Sequence, residues 1–198
     1  MKFIVIEGLD GCGGETQTKL LKEYLAKNNI SHKAFRSPDY STDIGKAIKS
    51  YLDGKLSLDP ESAFTLFASD TLLTSKKIQK TKTNIVIMDR YITSTIAYQS
   101  ARGLDFKKGI AFAKLMDYVK PDAIIYIDIK PETSMKRKQK EKGKLDYHES
   151  NLSYLEEVRR FYEQEAKRRI LSKWHAIDGE KSIEQVHEDV LSIVKKFL

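Results

Sequence analysis

Cysteine is nearly absent: the single thiol, Cys12, rules out an intramolecular disulfide and points to a reducing compartment. Long hydrophobic runs are missing as well, and no apolar stretch approaches the roughly 18 residues that a membrane-spanning helix needs. The opening MKFIVIEG is apolar but too short for a signal peptide, and it leads straight into a glycine-rich stretch. A cytoplasmic location with no membrane partner is the expectation. No internal repeat and no low-complexity linker interrupts the chain. With 198 residues, 40% of them hydrophobic, residues 1–198 suffice for one globular domain with a full core.

What is in excess is positive charge, a net +7. Basic groups attract phosphate of any kind, polymeric or small. Much of the excess lies in Lys136 to Lys144 and Arg159 to Arg169. Neither cluster interleaves aromatics in the manner of a single-strand binding platform, so small phosphorylated ligands are expected and nucleic acid is not.

Short apolar runs alternate with amphipathic stretches. Phe3 to Ile6 and Ile85 to Met88 are continuously apolar, and Ala123 to Ile129 is apolar but for Asp128, the mark of strands covered on both faces. Shorter strands are expected at Lys33 to Arg36 and Trp174 to Ile177. Helical spacing predicts helices over Thr16 to Lys27, Thr42 to Leu52, Pro60 to Lys80, Ser94 to Gln99 and Lys107 to Tyr118. Further helices follow from Pro131, over Leu152 to Leu171, and over Ile183 to Phe197. Alternating strands and helices imply an α/β fold of three layers, a five-stranded parallel sheet with helices on both faces. Ligands of such sheets bind beyond the carboxyl ends of the strands, here just after Ile6, Arg36, Met88 and Ile129.

After the first strand comes Gly8-Leu9-Asp10-Gly11-Cys12-Gly13-Gly14-Glu15-Thr16, and then a helix. Four glycines in seven residues exceed what a simple turn requires, and the strand–loop–helix context is that of a phosphate-binding loop. Gly8 and Gly13 have the spacing of such a loop. Gly14, however, stands where a lysine reaches the outer phosphates, and Glu15 stands where a hydroxyl binds magnesium. A carboxylate about 4 Å from a phosphate oxygen, at an effective dielectric near 20, adds ~4 kcal/mol of repulsion. Catalysis through this loop therefore demands another cation, or a Glu15 that points to solvent or itself binds magnesium.

Phe3 to Gly11, followed by Thr16-Gln17 and Leu20-Leu21, resembles the start of thymidylate kinases. The resemblance continues through Ser37-Pro38-Asp39, Ile44-Gly45, Leu66 to Asp70, Asp89-Arg90-Tyr91, Ala97-Tyr98-Gln99, Tyr126-Ile127-Asp128 and Gly143 to Asp146, roughly residues 1 to 165. It implies a P-loop kinase fold with a small lid at about 137–150, a homodimer, and transfer of the γ-phosphoryl group of ATP to dTMP, giving dTDP with Mg2+ as cofactor. It assigns catalysis to Arg90, Asp89 and Asp10, and metal binding to Asp89 and Glu7. Gly8, Gly11, Cys12, Gly13, Gly14, Glu15, Thr16 and Arg137 would hold ATP. Asp10, Pro38, Phe67, Arg90, Tyr98 and Gln99 would hold dTMP. The residue types suit these roles. A carboxylate closing an apolar strand can hold magnesium, an arginine forks a phosphate, and Tyr98 with Gln99 offers a ring face and an amide edge.

Three further departures accompany Gly14 and Glu15. Tyr40, Thr71 and Tyr147 stand where the family commonly carries arginines for the acceptor phosphate, the thymine edge and the lid. Arg137, Lys138, Lys140, Lys142 and Lys144 are candidates to compensate from the lid, whereas Lys19 sits a turn into the first helix and aims back only about a turn. Two other readings remain open on the sequence: a nucleotide-binding protein with little catalysis, and a kinase for a different nucleoside monophosphate.

Overall fold

In the computed structural model, residues 1–142 and 151–198 are described, Lys142 by its backbone alone. The chain runs β1 (Lys2–Gly8), α1 (Gly14–Lys27), β2 (His32–Arg36), α2 (Asp43–Leu52), α3 (Pro60–Gln79), β3 (Ile85–Asp89) and α4 (Ile92–Ser100). It continues α5 (Phe106–Leu115), β4 (Ala123–Asp128), α6 (Pro131–Lys142), α7 (Leu152–Arg168), β5 (Trp174–Asp178) and α8 (Ile183–Val194). A short 3₁₀ turn over 195–197 follows α8. Each element falls within a few residues of its expected place. The segment Gly143 to Asp146, Tyr147 and the far half of the expected lid lie outside the described residues.

The five strands pair in parallel in the order β2-β3-β1-β4-β5. Side chains alternate across a strand, so β1 feeds two cores. Ile4 and Ile6 pack with Leu21, Leu25, Ile125 and Val190 on one face, and Phe3 and Val5 with Phe64, Ile78, Val86 and Met88 on the other. That double covering is why β1, β3 and β4 read as unbroken apolar runs. Helix starts follow local chemistry: Thr42 caps α2 through Gly45 N–H, and Asp59 caps α3 with Pro60 at its first position. α7 stops at Arg168 because Arg169 turns left-handed, at φ 51°. For the site, the decisive feature is register. Arg36 of β2 lies level with Asp89 of β3, and Asp89 with Ile6 of β1, so three strand ends share one crevice.

One core residue is out of place energetically. Glu165 of α7 is fully buried, and neither carboxyl oxygen has a hydrogen-bond partner among the described residues. Burial, then the nearby Glu7, holds its pKa well above the ordinary carboxyl value. As pH rises past the unfolded carboxyl pKa, the unfolded chain releases this proton while the folded chain keeps it, so stability falls until the folded pKa is passed. Glu165→Leu is expected to stabilise the protein by about 1–3 kcal/mol at pH 7. The gain should shrink towards zero near pH 4. Urea unfolding at both pH values checks this, and an equal difference at both would show that ionisation of Glu165 plays no part.

Candidate active site

The glycine-rich loop connects the end of β1 to α1. Gly13, at φ 99°, adopts the left-handed turn that starts the helix, and a Cβ at Gly8 would lie 2.6 Å from the Ile127 carbonyl oxygen. Both positions therefore require glycine. The first N–H groups of α1 have no partner within the helix and open towards the loop, an anion-binding arrangement. Cys12 contributes backbone only: its N–H donates to Leu9 O (3.0 Å), and burial pushes its thiol up to about 11, leaving it a neutral apolar side chain. Arg137 of α6 clasps the loop from outside, donating to the carbonyls of Gly11 (3.2 Å) and Gly179 (3.0 Å). Lys138 pairs with Glu141 at 2.7 Å.

Gly14 and Glu15 take unexpected places. A Cβ at Gly14 would lie 2.7 Å from Asp89 Oδ1, so the carboxylate of Asp89 occupies the space where a lysine side chain would begin. Burial lifts the Asp89 pKa, opposed by Arg90 and Arg36. Glu15 is turned aside: its Oε2 meets Arg36 Nη1 at 3.0 Å, with its side chain mostly exposed. A Glu15 facing the phosphates would repel them; its pairing with that arginine relieves this.

β3 ends at Asp89, and Arg90 follows at φ 66°, its N–H bonded to Ile6 O at 3.0 Å. This left-handed turn directs the side chain over the loop. Arg90 Nη2 donates to Asp10 Oδ1 at 2.6 Å, and the guanidinium lies 5.3 Å from the centre of the Tyr98 ring. Tyr98 Oη in turn accepts the Asp10 N–H (3.0 Å), and Ser134 Oγ donates to Asp10 O (2.6 Å). Asp10, Arg90 and Tyr98 thus form one unit built from three elements.

Glu7 does not take the metal role expected of it. It is 1% exposed, and its carboxylate accepts from the N–H groups of Tyr91 (2.9 Å) and Ser94 (3.2 Å), from the hydroxyls of Thr93 and Ser94, and from Tyr162 Oη (3.1 Å). Saturated with donors, it is an internal cap for α4. Among the described residues no three acidic, histidine or cysteine side chains form a metal cluster. Magnesium in kinases takes one or two carboxylates and otherwise phosphate and water, and Asp89 facing the loop fits that demand.

Two cavities meet at this unit. One, of about 540 Å³, lies over the loop. The other, of about 160 Å³, is lined by Pro38, Tyr40, Phe67, Tyr98 and Gln99 and also by Tyr51, Arg102 and Tyr154. Asp10, Arg36 and Arg90 line both. The segment carrying Pro38 is pinned by buried Asp70, which accepts from Ser37 Oγ (2.7 Å) and Asp39 N–H (3.2 Å). Thr71 is buried, its hydroxyl bonded to Phe67 O at 2.9 Å. Arg102 instead brings a guanidinium to this cavity, donating to Gln99 Oε1 (3.2 Å) and lying 5.3 Å from the Tyr51 ring centre. Tyr51 meets Phe67 edge-to-face at 5.9 Å. The sequence reading missed Arg36, Tyr51 and Arg102. Only Arg102 left a local signal, three residues beyond Gln99 in the turn that ends α4.

The family model of thymidylate kinase matches residues 6–190. A thymidylate kinase from a Thermoanaerobacter species is 35% identical over 210 residues, covering 100% of this chain and 98% of that protein. A probable thymidylate kinase from Sulfolobus acidocaldarius is 36% identical over 200 residues, covering 100% and 98%. Among solved structures, the thymidylate kinase of Candida albicans superposes with a TM-score of 0.78 at 25% identity, over 98% of this chain and 91% of that one. The matches run through the loop, the Asp89-Arg90 corner and the cavity beyond it, and the chain belongs to the thymidylate kinase family.

Proposed function

We propose that this protein transfers the γ-phosphoryl group of ATP to dTMP, giving dTDP and ADP. The observation that carries the reading is the Asp10–Arg90 pair, placed where the glycine-loop cavity opens into the aromatic cavity. ATP phosphates would lie on the loop, and the monophosphate of the acceptor would reach across to Arg90. An oxygen of that monophosphate attacks the γ-phosphorus in line. The bond from the γ-phosphorus to the bridging oxygen breaks, and its electron pair leaves with ADP. No covalent enzyme intermediate is required, because positioning and charge carry phosphoryl transfer. Arg90 forks the acceptor phosphate, held in place by Asp10 and by the Tyr98 ring beneath it. Phe67, Tyr51, Gln99 and Arg102 surround the base. Asp89 would hold Mg2+, which when bound neutralises charge on the outer phosphates.

The test is product analysis after incubation with ATP, Mg2+ and each of dTMP, dUMP, dCMP and dGMP. Formation of dTDP in preference to the other diphosphates is the expected result. Preference for a purine or for cytosine would overturn the acceptor assignment. A second reading is favoured by Gly14 alone, since the loop lacks its lysine: a nucleotide-binding protein with little turnover. Calorimetric binding of ATP and dTMP without dTDP formation would select it.

A further inference from the structure

We propose that Arg36, from the end of β2, supplies the positive charge that the loop lacks at Gly14. The inference rests on the kinase reading and names the residue that makes it workable. Strand register carries Arg36 to the loop: it lies level with Asp89, which lies level with Ile6 just before the loop begins. Its guanidinium touches the two acids that frame the gap, Glu15 at 3.0 Å through Nη1 and Asp89 at 3.8 Å through Nε. Asp89 Oδ1 is itself the atom that a Cβ at Gly14 would meet, so Arg36 stands one carboxylate away from the missing side chain. It also lines both cavities, as a group serving the transferred phosphoryl must.

Among the described residues, the other cations that line the loop cavity are less well placed. Arg90, aimed by Asp10, is given over to the acceptor phosphate, Arg137 bonds two backbone carbonyls and Lys138 pairs with Glu141. Lys19 lines the loop cavity as well, but from the exposed side of α1, a turn beyond the loop and without contact to Asp89 or Glu15 in any ion pair. Arg36, by contrast, keeps 55% of its side chain exposed; its pair with Glu15 lies in contact with solvent, where ion pairs bind weakly, and its contact with the nearly buried Asp89 is long at 3.8 Å. A phosphate can therefore take over its fork, and arginine presents two parallel N–H donors to such a group. Glu15 becomes the resting partner of this arginine. During transfer Arg36 donates hydrogen bonds to the γ-phosphoryl oxygens as the bond to the bridging oxygen breaks and its pair leaves on ADP. Arg36 gives up no proton.

The experiment compares the wild type, Arg36→Ala, Gly14→Lys/Glu15→Ser, and the triple variant combining all three changes. Turnover to dTDP, the calorimetric Kd for Mg·ATP and the melting temperature are read for each. Arg36→Ala should lower kcat about 10²–10³-fold, the loss typical of removing one preorganised donor to developing charge. It should weaken Mg·ATP about tenfold and leave melting nearly unchanged. In the lysine-restored background the same alanine change should cost less than about threefold in either quantity, because the loop then carries its own cation. Wild-type behaviour of Arg36→Ala, or an equal loss in both backgrounds, overturns the proposal. If the restored background fails to fold because lysine crowds Asp89, Arg36→Lys decides. Mg·ATP affinity clearly above that of the alanine variant supports a charge role, and equality with alanine overturns it. The binding measurement needs no turnover. A wild type that makes no dTDP but loses Mg·ATP affinity with Arg36→Ala would refute the kinase reading and uphold this one. An unchanged affinity in such a protein would refute both.

Discussion

Arg90→Ala should reduce dTDP formation at least 10³-fold, the largest effect on activity expected of any single change in the chain. An arginine stabilising transferring phosphoryl charge is worth roughly 10³–10⁵ in kcat. Arg90 has the placement for this, at the junction of the two cavities with its fork aimed by Asp10 and its plane set over Tyr98. Arg90→Lys keeps the charge but loses the fork, and should recover only part of the loss. Removal of the side chain also strands Asp10 and takes away a positive charge that favours ionised Glu7, so some stability is lost too.

The backbone offers an internal control. Arg90 is left-handed at φ 66°, a conformation that costs a non-glycine residue about 1–2 kcal/mol. Arg90→Gly removes the same guanidinium but relieves that strain. The glycine and alanine variants should be equally inactive, with glycine melting higher by a few degrees. Equal activity loss with distinct melting would assign the kinetic defect to the side chain and not to unfolding. Activity of the alanine variant within tenfold of wild type would sink the role given to Arg90.

The sheet was legible because three strands are covered on both faces, and β1, β3 and β4 therefore appear as apolar runs with no alternation. Helix starts were legible where a capping residue marks them, as at Thr42 and Asp59. The loop and the Asp89-Arg90 corner were legible because each is a contiguous segment whose chemistry is local. What was missed is non-local. Arg36 matters only because register sets it beside Asp89, 53 residues away in sequence. The direction of Glu15 could not be read because its partner lies 21 residues on, beyond the rest of α1 and a turn, at the end of β2. Glu7 was given a metal role by the resemblance alone, with no partner for it visible nearby in the sequence. Its true partners, Tyr91 to Ser94, lie 84 to 87 positions downstream.

That position of Glu7 sets up the largest expected effect on stability. α4 begins with Tyr91 at its N-cap, which forms no side-chain cap of its own. Glu7 provides the cap from β1, accepting the N–H groups of Tyr91 and Ser94 while its charge faces the positive end of the helix. Burial raises its pKa, but the hydroxyl donors of Ser94 and Thr93, the Arg90 charge and the Tyr91 N–H oppose that rise. Glu7→Ala would leave the buried N–H groups of Tyr91 and Ser94 and the Thr93 hydroxyl without their acceptor, and Ser94 Oγ and Tyr162 Oη with only each other. Breaking a buried charged network in this way costs about 3–5 kcal/mol. Glu7→Gln should cost far less, about 1–2 kcal/mol. Its carbonyl oxygen can keep the two N–H donors and Thr93, while Ser94 and Tyr162 rotate their hydroxyls to accept from the amide. Because Glu7 is also one cause of the raised Glu165 pKa, the Gln variant should lose less stability between pH 4 and pH 7 than the wild type does. Urea unfolding of both variants measures these differences. The KM for dTMP should rise in Glu7→Ala, since α4 carries Tyr98 and Gln99. Equal destabilisation by Gln and Ala would mean that the carboxylate charge, and not its acceptor geometry, holds α4 to the sheet.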